Sequence, residues 1–120
     1  MMGSAHLRRG ELYRVPFPPN DTRPARVFLV VSRPGFLEVA HSTALCVPVY
    51  SSYHGLDTEV LVGESEGLKH LSALQCDLVT AMRRASLTDY VGSLGADKMA
   101  LVNRALATAL GILPEDIADL

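Results

Sequence analysis

Polar side chains stand at the ends of several apolar segments of this sequence, and their types could do chemistry. Arg26 opens the most apolar segment, and the hydroxyl residues Tyr50, Ser51 and Ser52 close a later one. Arginine carries a planar fork that suits phosphate, whereas hydroxyl residues at strand ends are also common turn formers. Asp77 interrupts another apolar segment, where aspartate is disfavoured and needs a partner. Two interpretations therefore stay open, ordinary strand-end polarity and an anion-binding site with a functional carboxylate.

Familiar catalytic and cofactor motifs do not occur in the sequence. It has no glycine-rich phosphate loop, no zincin pattern and no nucleophile elbow. The histidines lack the spacing of metal ligands, and they are His6, His41, His54 and His70. Two cysteines are too few for a disulfide scaffold. The sequence therefore predicts neither a bound metal nor an organic cofactor.

Length and composition predict one small domain that buries a real core. The chain has 120 residues, of which 48% are hydrophobic and 20% charged. Its longest apolar run, residues 27–31, is far shorter than the roughly 20 residues of a membrane helix. The start lacks the apolar stretch of a secretory signal. We expect a cytoplasmic protein without a membrane segment, with a flexible leader over residues 1–8, a domain over residues 9–112 and an acidic tail over residues 113–120.

The formal charge of −2 argues at first against a nucleic-acid partner. The charge is unevenly distributed, however. Residues 1–40 hold six arginines against three acidic residues, a balance of +3, and the remaining residues hold five basic against ten acidic residues, a balance of −5. The arginine-rich first third therefore remains a candidate surface for phosphate groups.

Hydrophobic periodicity and turn residues predict six strands followed by one helix. The strands are expected over residues 11–17, 26–32, 44–50, 58–62, 74–82 and 89–93. Four prolines make residues 16–24 an exposed loop, and Pro48 marks an edge or a bulge. Apolar residues at 3- and 4-residue steps predict a helix over residues 97–110, with Gly111 as its C-cap. This order predicts a mainly β fold, a small barrel with a C-terminal helix packed on it.

Five short segments, spread in order over residues 9–112, carry a resemblance to a known family. They are Arg9-Gly-Glu-Leu-Tyr-Arg14, the apolar segment Arg26 to Ser32, Leu45-Cys-Val-Pro48 with the hydroxyl residues, Gly55 and Glu59-Val60 that follow, Gln75-Cys-Asp77, and Gly92-Ser-Leu94. In this order the segments resemble the MazF/PemK (Kid-like) toxins of type II toxin–antitoxin systems. The resemblance implies an SH3-like β-barrel, a homodimer and a cognate antitoxin as partner.

The same resemblance implies an activity. It is that of an mRNA interferase, a metal-independent endoribonuclease that cleaves single-stranded RNA at selected sequences. In the family the 2′-hydroxyl attacks the adjacent phosphate and leaves a 2′,3′-cyclic phosphate. Such chemistry needs a base for the 2′ proton, a cation for the phosphorane and an acid for the leaving oxygen.

Candidate catalytic residues follow from the same resemblance, position by position. Arg26 falls on the arginine that stabilises the phosphate, and Asp77 falls on the carboxylate proposed as general base. The family's hydroxyl falls on Tyr50 or, with a slip of one residue, on Ser51. Arg23 is the alternative arginine, since proline follows it as proline follows the family's arginine.

Departures from the family pattern define the expected RNA-binding residues. Gln75 stands where the Kid-like branch has an arginine, and Tyr50 stands where a small hydroxyl residue is usual. His54 lies at a loop position that is basic in some relatives, and it could supply a proton near neutral pH. The residues expected to contact RNA are Arg23, Tyr50, Ser52, His54 and Gln75.

Two other functions fit the sequence less well. A catalytically decayed PemK-like protein that only binds RNA or antitoxin would account for the residues at positions 50 and 75. A gyrase inhibitor of the CcdB type would share the barrel but ends in Trp-Gly-Ile, and this chain has no tryptophan.

Overall fold

The computed structural model describes residues 6–39 and 42–118. Within them lie seven strands and three α-helices. The strands are β1 (Glu11–Val15), β2 (Arg26–Val30), β3 (Thr43–Tyr50), β4 (Glu59–Val62), β5 (Ser72–Gln75), β6 (Thr80–Arg83) and β7 (Asp89–Ser93). The helices are α1 (Pro34–Leu37), α2 (Ala96–Ala109) and α3 (Pro114–Ile117). The predicted mainly β fold with a C-terminal helix is confirmed.

The strands form one antiparallel sheet centred on β3. The order along the sheet is β4-β5-β3-β2-β1-β7, and β6 also pairs with β3. One side of β3 pairs with β2, while the other side pairs first with β6 and then with β5. Because β2 and β3 are antiparallel, the start of β2 lies beside the end of β3. This neighbourhood places Arg26 close to Tyr50.

Both faces of the sheet carry buried side chains, and successive strand residues point to opposite faces. Leu29 and Val30 are both fully buried, but they belong to two different core clusters. The larger cluster includes Val102 and Ala105 of α2. The smaller cluster includes Leu7, which precedes β1, and Leu37 of α1. Strand β2 is therefore buried on both of its faces at these two residues.

The two edge strands of the sheet meet through a short 3₁₀ turn, Glu64–Glu66, which follows β4. A Cβ atom on Gly92 of β7 would lie 2.0 Å from the Glu66 carbonyl oxygen. Likewise, a Cβ atom on Gly67 would lie 2.4 Å from the Val91 carbonyl oxygen, and Gly67 has a φ of +96°. Only glycines permit this approach. The contact joins the two ends of the sheet, which forms a half-barrel where the sequence predicts a small barrel.

Helix α2 confirms the predicted helix to within one residue at each end. Val102 and Ala105 are buried, and the helix packs against β4 and the turn that follows β5. Gly111 ends the helix with a φ of +71°. Its N–H donates to the Thr108 carbonyl at 3.1 Å, and the Ile112 N–H donates to the Ala107 carbonyl at 2.8 Å, the two bonds of a Schellman cap.

The predicted strand over residues 74–82 is wrong, because the chain leaves the sheet in its middle. Strand β5 ends at Gln75, a 3₁₀ turn spans Cys76–Leu78, and β6 begins at Thr80. The five residues 75–79 stand opposite only two residues of β3, so they cannot all pair with it. Fully buried Cys76 anchors the turn, and its N–H donates to the Thr58 carbonyl at 3.0 Å. Asp77 therefore lies in a turn and not in a strand.

Pro48 does not mark a sheet edge, contrary to one of the two expectations for it. It pairs with Phe28 of β2 and is buried in the central strand. The carbonyl groups of Leu45 and Val49 accept hydrogen bonds from the side of β3 on which β2 lies. Because the backbone groups of successive strand residues alternate in direction, the nitrogen of Pro48 points to the other side of β3. That side faces the break between β5 and β6. The missing N–H therefore costs no ladder bond.

The two ends of the chain are described only in part. Residues 1–5 of the expected leader lie outside the described residues, as do His41 and residues 119–120. Leu7 is buried in the smaller core cluster, so packing begins before the expected boundary at residue 9. Part of the expected tail forms α3. Across the described ranges, no helix combines the length and apolar character that crossing a membrane requires.

Both cysteines are free thiols, and we predict that neither reacts readily in the native protein. Cys46 and Cys76 are fully buried in different core clusters. Burial raises the pKa of Cys46 to about 12, and burial together with the Asp77 charge raises the pKa of Cys76 to about 11. Because only the thiolate attacks Ellman's reagent, native protein at pH 8 should release almost no chromophore. Denatured protein should release two equivalents at once, and rapid native labelling would contradict the described burial.

Candidate functional site

An open groove of about 450 Å³ lies where β2 begins and β3 ends. Its polar lining comes from the strands β1 and β2, the end of β3 with the residue that follows it, the segment that joins β4 to β5, and the first residue of β5. We call it the basic groove, and its polar residues are Arg14, Arg26, Tyr50, Ser51, Lys69, His70 and Ser72. No carboxylate occurs among the lining residues that the structure describes. Such a surface favours an anion.

Arg26 is held in a defined position in this groove. Its Nη1 donates to the Val49 carbonyl oxygen at 3.0 Å, and its guanidinium carbon lies 3.8 Å from the centre of the Tyr50 ring. Both contacts follow from the pairing of β2 with β3. Within residues 6–39 and 42–118, no carboxylate forms an ion pair with Arg26. Its positive charge is therefore available to a ligand.

Arg23, the alternative arginine, is already paired. Its guanidinium binds the Asp21 carboxylate with a shortest distance of 2.5 Å, and this bonding lowers the pKa of Asp21 to about 2. The same guanidinium stacks on Phe17, whose ring centre lies 4.0 Å from it and 5.9 Å from the guanidinium of Arg26. Of these two arginines, Arg26 is therefore the one without a carboxylate partner among the described residues.

A second polar cluster is built around Glu59 at the start of β4. This residue is buried, and its carboxylate accepts hydrogen bonds from the Leu56 N–H at 2.8 Å, the His54 N–H at 3.1 Å and the Gln75 amide at 2.5 Å. The cluster ties the loop of residues 51–58 to β5. Gln75 therefore holds a structural carboxylate, and Glu59 is a residue that the sequence analysis missed.

Asp77 lies in the 3₁₀ turn after β5 and is exposed. Its carboxylate accepts a hydrogen bond from the Thr58 hydroxyl at 2.6 Å. It does not line the basic groove, although the family resemblance implies a catalytic role for it together with Arg26 and Ser51. Ser52 and His54 are exposed in the loop that follows β3 and likewise lie outside the groove lining.

The structure therefore brings together some of the expected residues and separates others. Arg26, Tyr50 and Ser51 share the basic groove, whereas Gln75 and Asp77 bond to residues of another cluster. The groove also contains two cationic residues and a histidine that the sequence analysis did not assign to the site, namely Arg14, Lys69 and His70. The sequence feature that could have indicated these residues is the adjacent basic pair Lys69-His70 between two apolar segments. Arg14 also faces the Asp89 carboxylate at 3.8 Å.

A metal-binding cluster would need several ligating side chains close together. In the part of the chain that the structure describes, no group of three or more His, Cys, Asp or Glu residues is arranged to hold a metal ion.

We predict that Glu59→Gln lowers the melting temperature at neutral pH but not in acid. Burial opposes the charged carboxylate, yet the hydrogen bonds from Leu56, Gln75 and His54 outweigh it and lower the pKa of Glu59 below 4.5. A depressed carboxyl pKa stabilises the fold above the unfolded pKa, and this contribution is lost as the pH falls through the folded pKa. The Tm difference between wild type and variant should therefore be full at pH 7 and shrink below about pH 4.

The exposed residue Glu64 provides a matched control for this measurement. Glu64→Gln should follow the wild-type melting curve at both pH values in scanning calorimetry. A Tm difference for Glu59→Gln that stays the same at pH 3 would show that the charge of Glu59 contributes nothing.

Comparisons with known proteins agree with this fold. A family model described as PemK-like, MazF-like toxin of type II toxin–antitoxin system matches residues 8–110. No curated protein sequence matches the chain. Among similar solved structures, an endoribonuclease from mycobacterial species has 27% identity and a TM-score of 0.75, with 90% of this chain and 94% of that chain covered.

Two further structures contain antitoxin complexes. One is an endoribonuclease in complex with its cognate antitoxin from mycobacterial species, at 26% identity and a TM-score of 0.73, covering 90% of this chain and 96% of that chain. The other, a MazE–MazF structure from Deinococcus radiodurans, has 23% identity and a TM-score of 0.74, covers 91% of this chain and 100% of that chain, and supports the fold alone.

The family model spans most of the chain and nearly the whole stretch over which the five sequence segments show their resemblance. The half-barrel with its C-terminal helix is also the fold of the solved relatives. This chain belongs to the PemK-like, MazF-like toxins of type II toxin–antitoxin systems.

Proposed function

We propose that this chain is a toxin that captures single-stranded RNA in the basic groove and cleaves it as a metal-independent endoribonuclease. One observation carries the proposal. The guanidinium of Arg26 has no carboxylate partner among the described residues, and the Val49 carbonyl and the Tyr50 ring hold it in a groove lined by further cations. A fixed arginine fork of this kind suits the two non-bridging oxygens of a phosphodiester.

The proposed reaction needs more charge stabilisation in its transition state than in its ground state. When the 2′-hydroxyl oxygen attacks phosphorus, the phosphorane gains negative charge on its non-bridging oxygens. Arg26 is positioned to stabilise this charge, with Lys69 as a second cation in the same groove. The products would be a 2′,3′-cyclic phosphate and a free 5′-hydroxyl. The formation of these products requires no metal ion.

Aromatic and cationic side chains beside Arg26 supply a surface for RNA bases. The guanidinium of Arg23 lies over the Phe17 ring, and that of Arg26 lies over the Tyr50 ring. Stacking on such rings and guanidinium planes is typical of single-stranded RNA recognition. Because the net charge is −2, weak non-specific attraction to RNA is expected, which favours selective capture of a short site.

The proposal includes a cognate antitoxin, a homodimeric toxin and a cytoplasmic location. A solved relative at 26% identity is an endoribonuclease in complex with its cognate antitoxin. An extended acidic segment of an antitoxin would fit the basic groove by charge and would compete there with RNA.

The test is incubation of the purified protein with a mixed-sequence single-stranded RNA in the presence of EDTA, followed by mapping of the new ends. Cleavage that leaves 2′,3′-cyclic phosphate at a recurrent sequence supports the proposal. Binding of RNA without cleavage would identify a decayed, binding-only toxin. Intact RNA together with inhibited gyrase supercoiling would instead identify a gyrase inhibitor and refute the proposal.

A further inference from the structure

The segment that joins β4 to β5 brings an imidazole into the basic groove. His70 lies within this segment, next to Lys69, and both residues line the groove with Arg26 and Tyr50. His70 is exposed, so its imidazole is accessible to a ligand in the groove. The proposed role of the groove so far uses only cations and does not use this histidine.

The proposed cleavage also needs a proton donor at the leaving oxygen. When the bond between phosphorus and the 5′ oxygen breaks, that oxygen leaves as an alkoxide unless it receives a proton. The carboxylate of Asp77 accepts a hydrogen bond from Thr58 and does not line the groove. The amide of Gln75, which cannot donate a proton in catalysis, is bound to Glu59.

Among the groove residues that the structure describes, His70 alone carries a side chain that ordinarily changes charge near neutral pH. The charged groups that line the groove with it are Lys69 on its own segment, Arg14 on β1 and Arg26 on β2. Hydroxyls of Tyr50, Ser51 and Ser72 complete the polar lining, and no carboxylate of the described residues lines the groove beside it. The surrounding cations draw the phosphodiester to the place where the imidazole can reach it.

We propose that His70 is the general acid of the cleavage, an inference that rests on the proposed function. The 2′-hydroxyl gives its proton to water, and its oxygen forms a new bond to phosphorus. The bond between phosphorus and the 5′ oxygen breaks, and the imidazolium of His70 gives its proton to that oxygen. The neutral imidazole then takes a proton from water, so the protein returns to its starting state.

A bridging sulfur atom separates this role from simple binding. After the cleavage site has been mapped, two RNA oligonucleotides of that sequence are compared, one with oxygen and one with sulfur at the 5′ leaving position. A thiolate leaves without protonation, so the sulfur substrate needs no general acid. His70→Ala should cleave the oxygen substrate about 100-fold more slowly and cleave the sulfur substrate at nearly the wild-type rate.

The matched control is His6→Ala, which removes an exposed histidine outside the groove lining and should leave both rates unchanged. His70→Gln serves as a second variant of similar size. For wild type, the rate on the oxygen substrate should fall as the pH rises above neutrality, and both His70 variants should lack this falling limb. Circular dichroism checks that each variant is folded.

Three outcomes would count against the inference. Equal slowing of both substrates by His70→Ala would assign the residue to binding and overturn the general-acid role. Unchanged rates on both substrates would also overturn it, while the proposed ribonuclease function would stand. Absence of cleavage by the wild-type protein would overturn the proposed function and this inference together.

Discussion

Arg26→Ala should cleave RNA at least about 100-fold more slowly than wild type, because it removes the fixed arginine of the basic groove. The guanidinium is fixed by the Val49 carbonyl at 3.0 Å and the Tyr50 ring at 3.8 Å, so its charge is already oriented before RNA binds. Stabilisation of this kind is largest in the transition state, where charge develops on the phosphorane oxygens. The loss should therefore be mainly in kcat, measured with a short RNA that carries a single mapped site.

Three variants test this explanation further. Arg26→Lys keeps the charge but loses the planar fork, so it should recover only part of the lost rate. Tyr50→Phe keeps the ring under the guanidinium and should cleave at close to the wild-type rate, whereas Tyr50→Ala should slow cleavage by releasing Arg26. Faster cleavage by Tyr50→Ala than by Tyr50→Phe would contradict a positioning role for the ring.

Arg23→Ala is the matched arginine control. This arginine is exposed and paired with Asp21, and it lies outside the groove lining. Its loss should weaken RNA binding and leave kcat nearly unchanged. If Arg23→Ala abolishes cleavage while Arg26→Ala retains it, the assignment of the phosphate-binding arginine must be reversed.

Gly92→Ala should destabilise the fold by about 3 kcal/mol or more, because it forces β7 away from the Glu64–Glu66 turn. A Cβ atom at this position would lie 2.0 Å from the Glu66 carbonyl oxygen, which belongs to backbone and cannot rotate away. The backbone at Gly92 is not in the left-handed region, so the expected cost is a steric cost and not a conformational one. Urea denaturation followed by circular dichroism measures it.

Gly95→Ala is the matched control for Gly92→Ala. Gly95 precedes α2 with a φ of −77°, and a Cβ atom there would meet nothing within 4 Å. Its substitution should change the free energy of unfolding by less than about 1 kcal/mol. Equal midpoints for Gly92→Ala and wild type would show that the Glu64–Glu66 turn does not contact β7 in solution.

Much of the fold could be predicted from the sequence, because periodicity and turn residues act locally. Strand β7 and helix α2 lie where alternation and 3- and 4-residue steps place them. The wrong prediction of a single strand over residues 74–82 has a physical cause. The local pattern of residues 74–82 is that of one strand, but β3 offers partners only to the two ends of this stretch. Local pattern cannot reveal how many partner residues are available.

The candidate site could likewise be predicted only in part from the sequence. The sequence by itself determined that an arginine opens β2 and that hydroxyl residues close β3, and antiparallel pairing of those strands brings them together. It could not determine that Gln75 and Asp77 bond to Glu59 and Thr58, away from Arg26.

The membership of Lys69 and His70 in the basic groove was decided only by the tertiary structure. These residues are far from Arg26 in the chain. Their position depends on the order in which β4, β5, β3 and β2 pair and on the 3₁₀ turn that ends β5. Local residue types fix which way a side chain points within its strand, whereas contacts between distant segments depend on the register of the whole sheet.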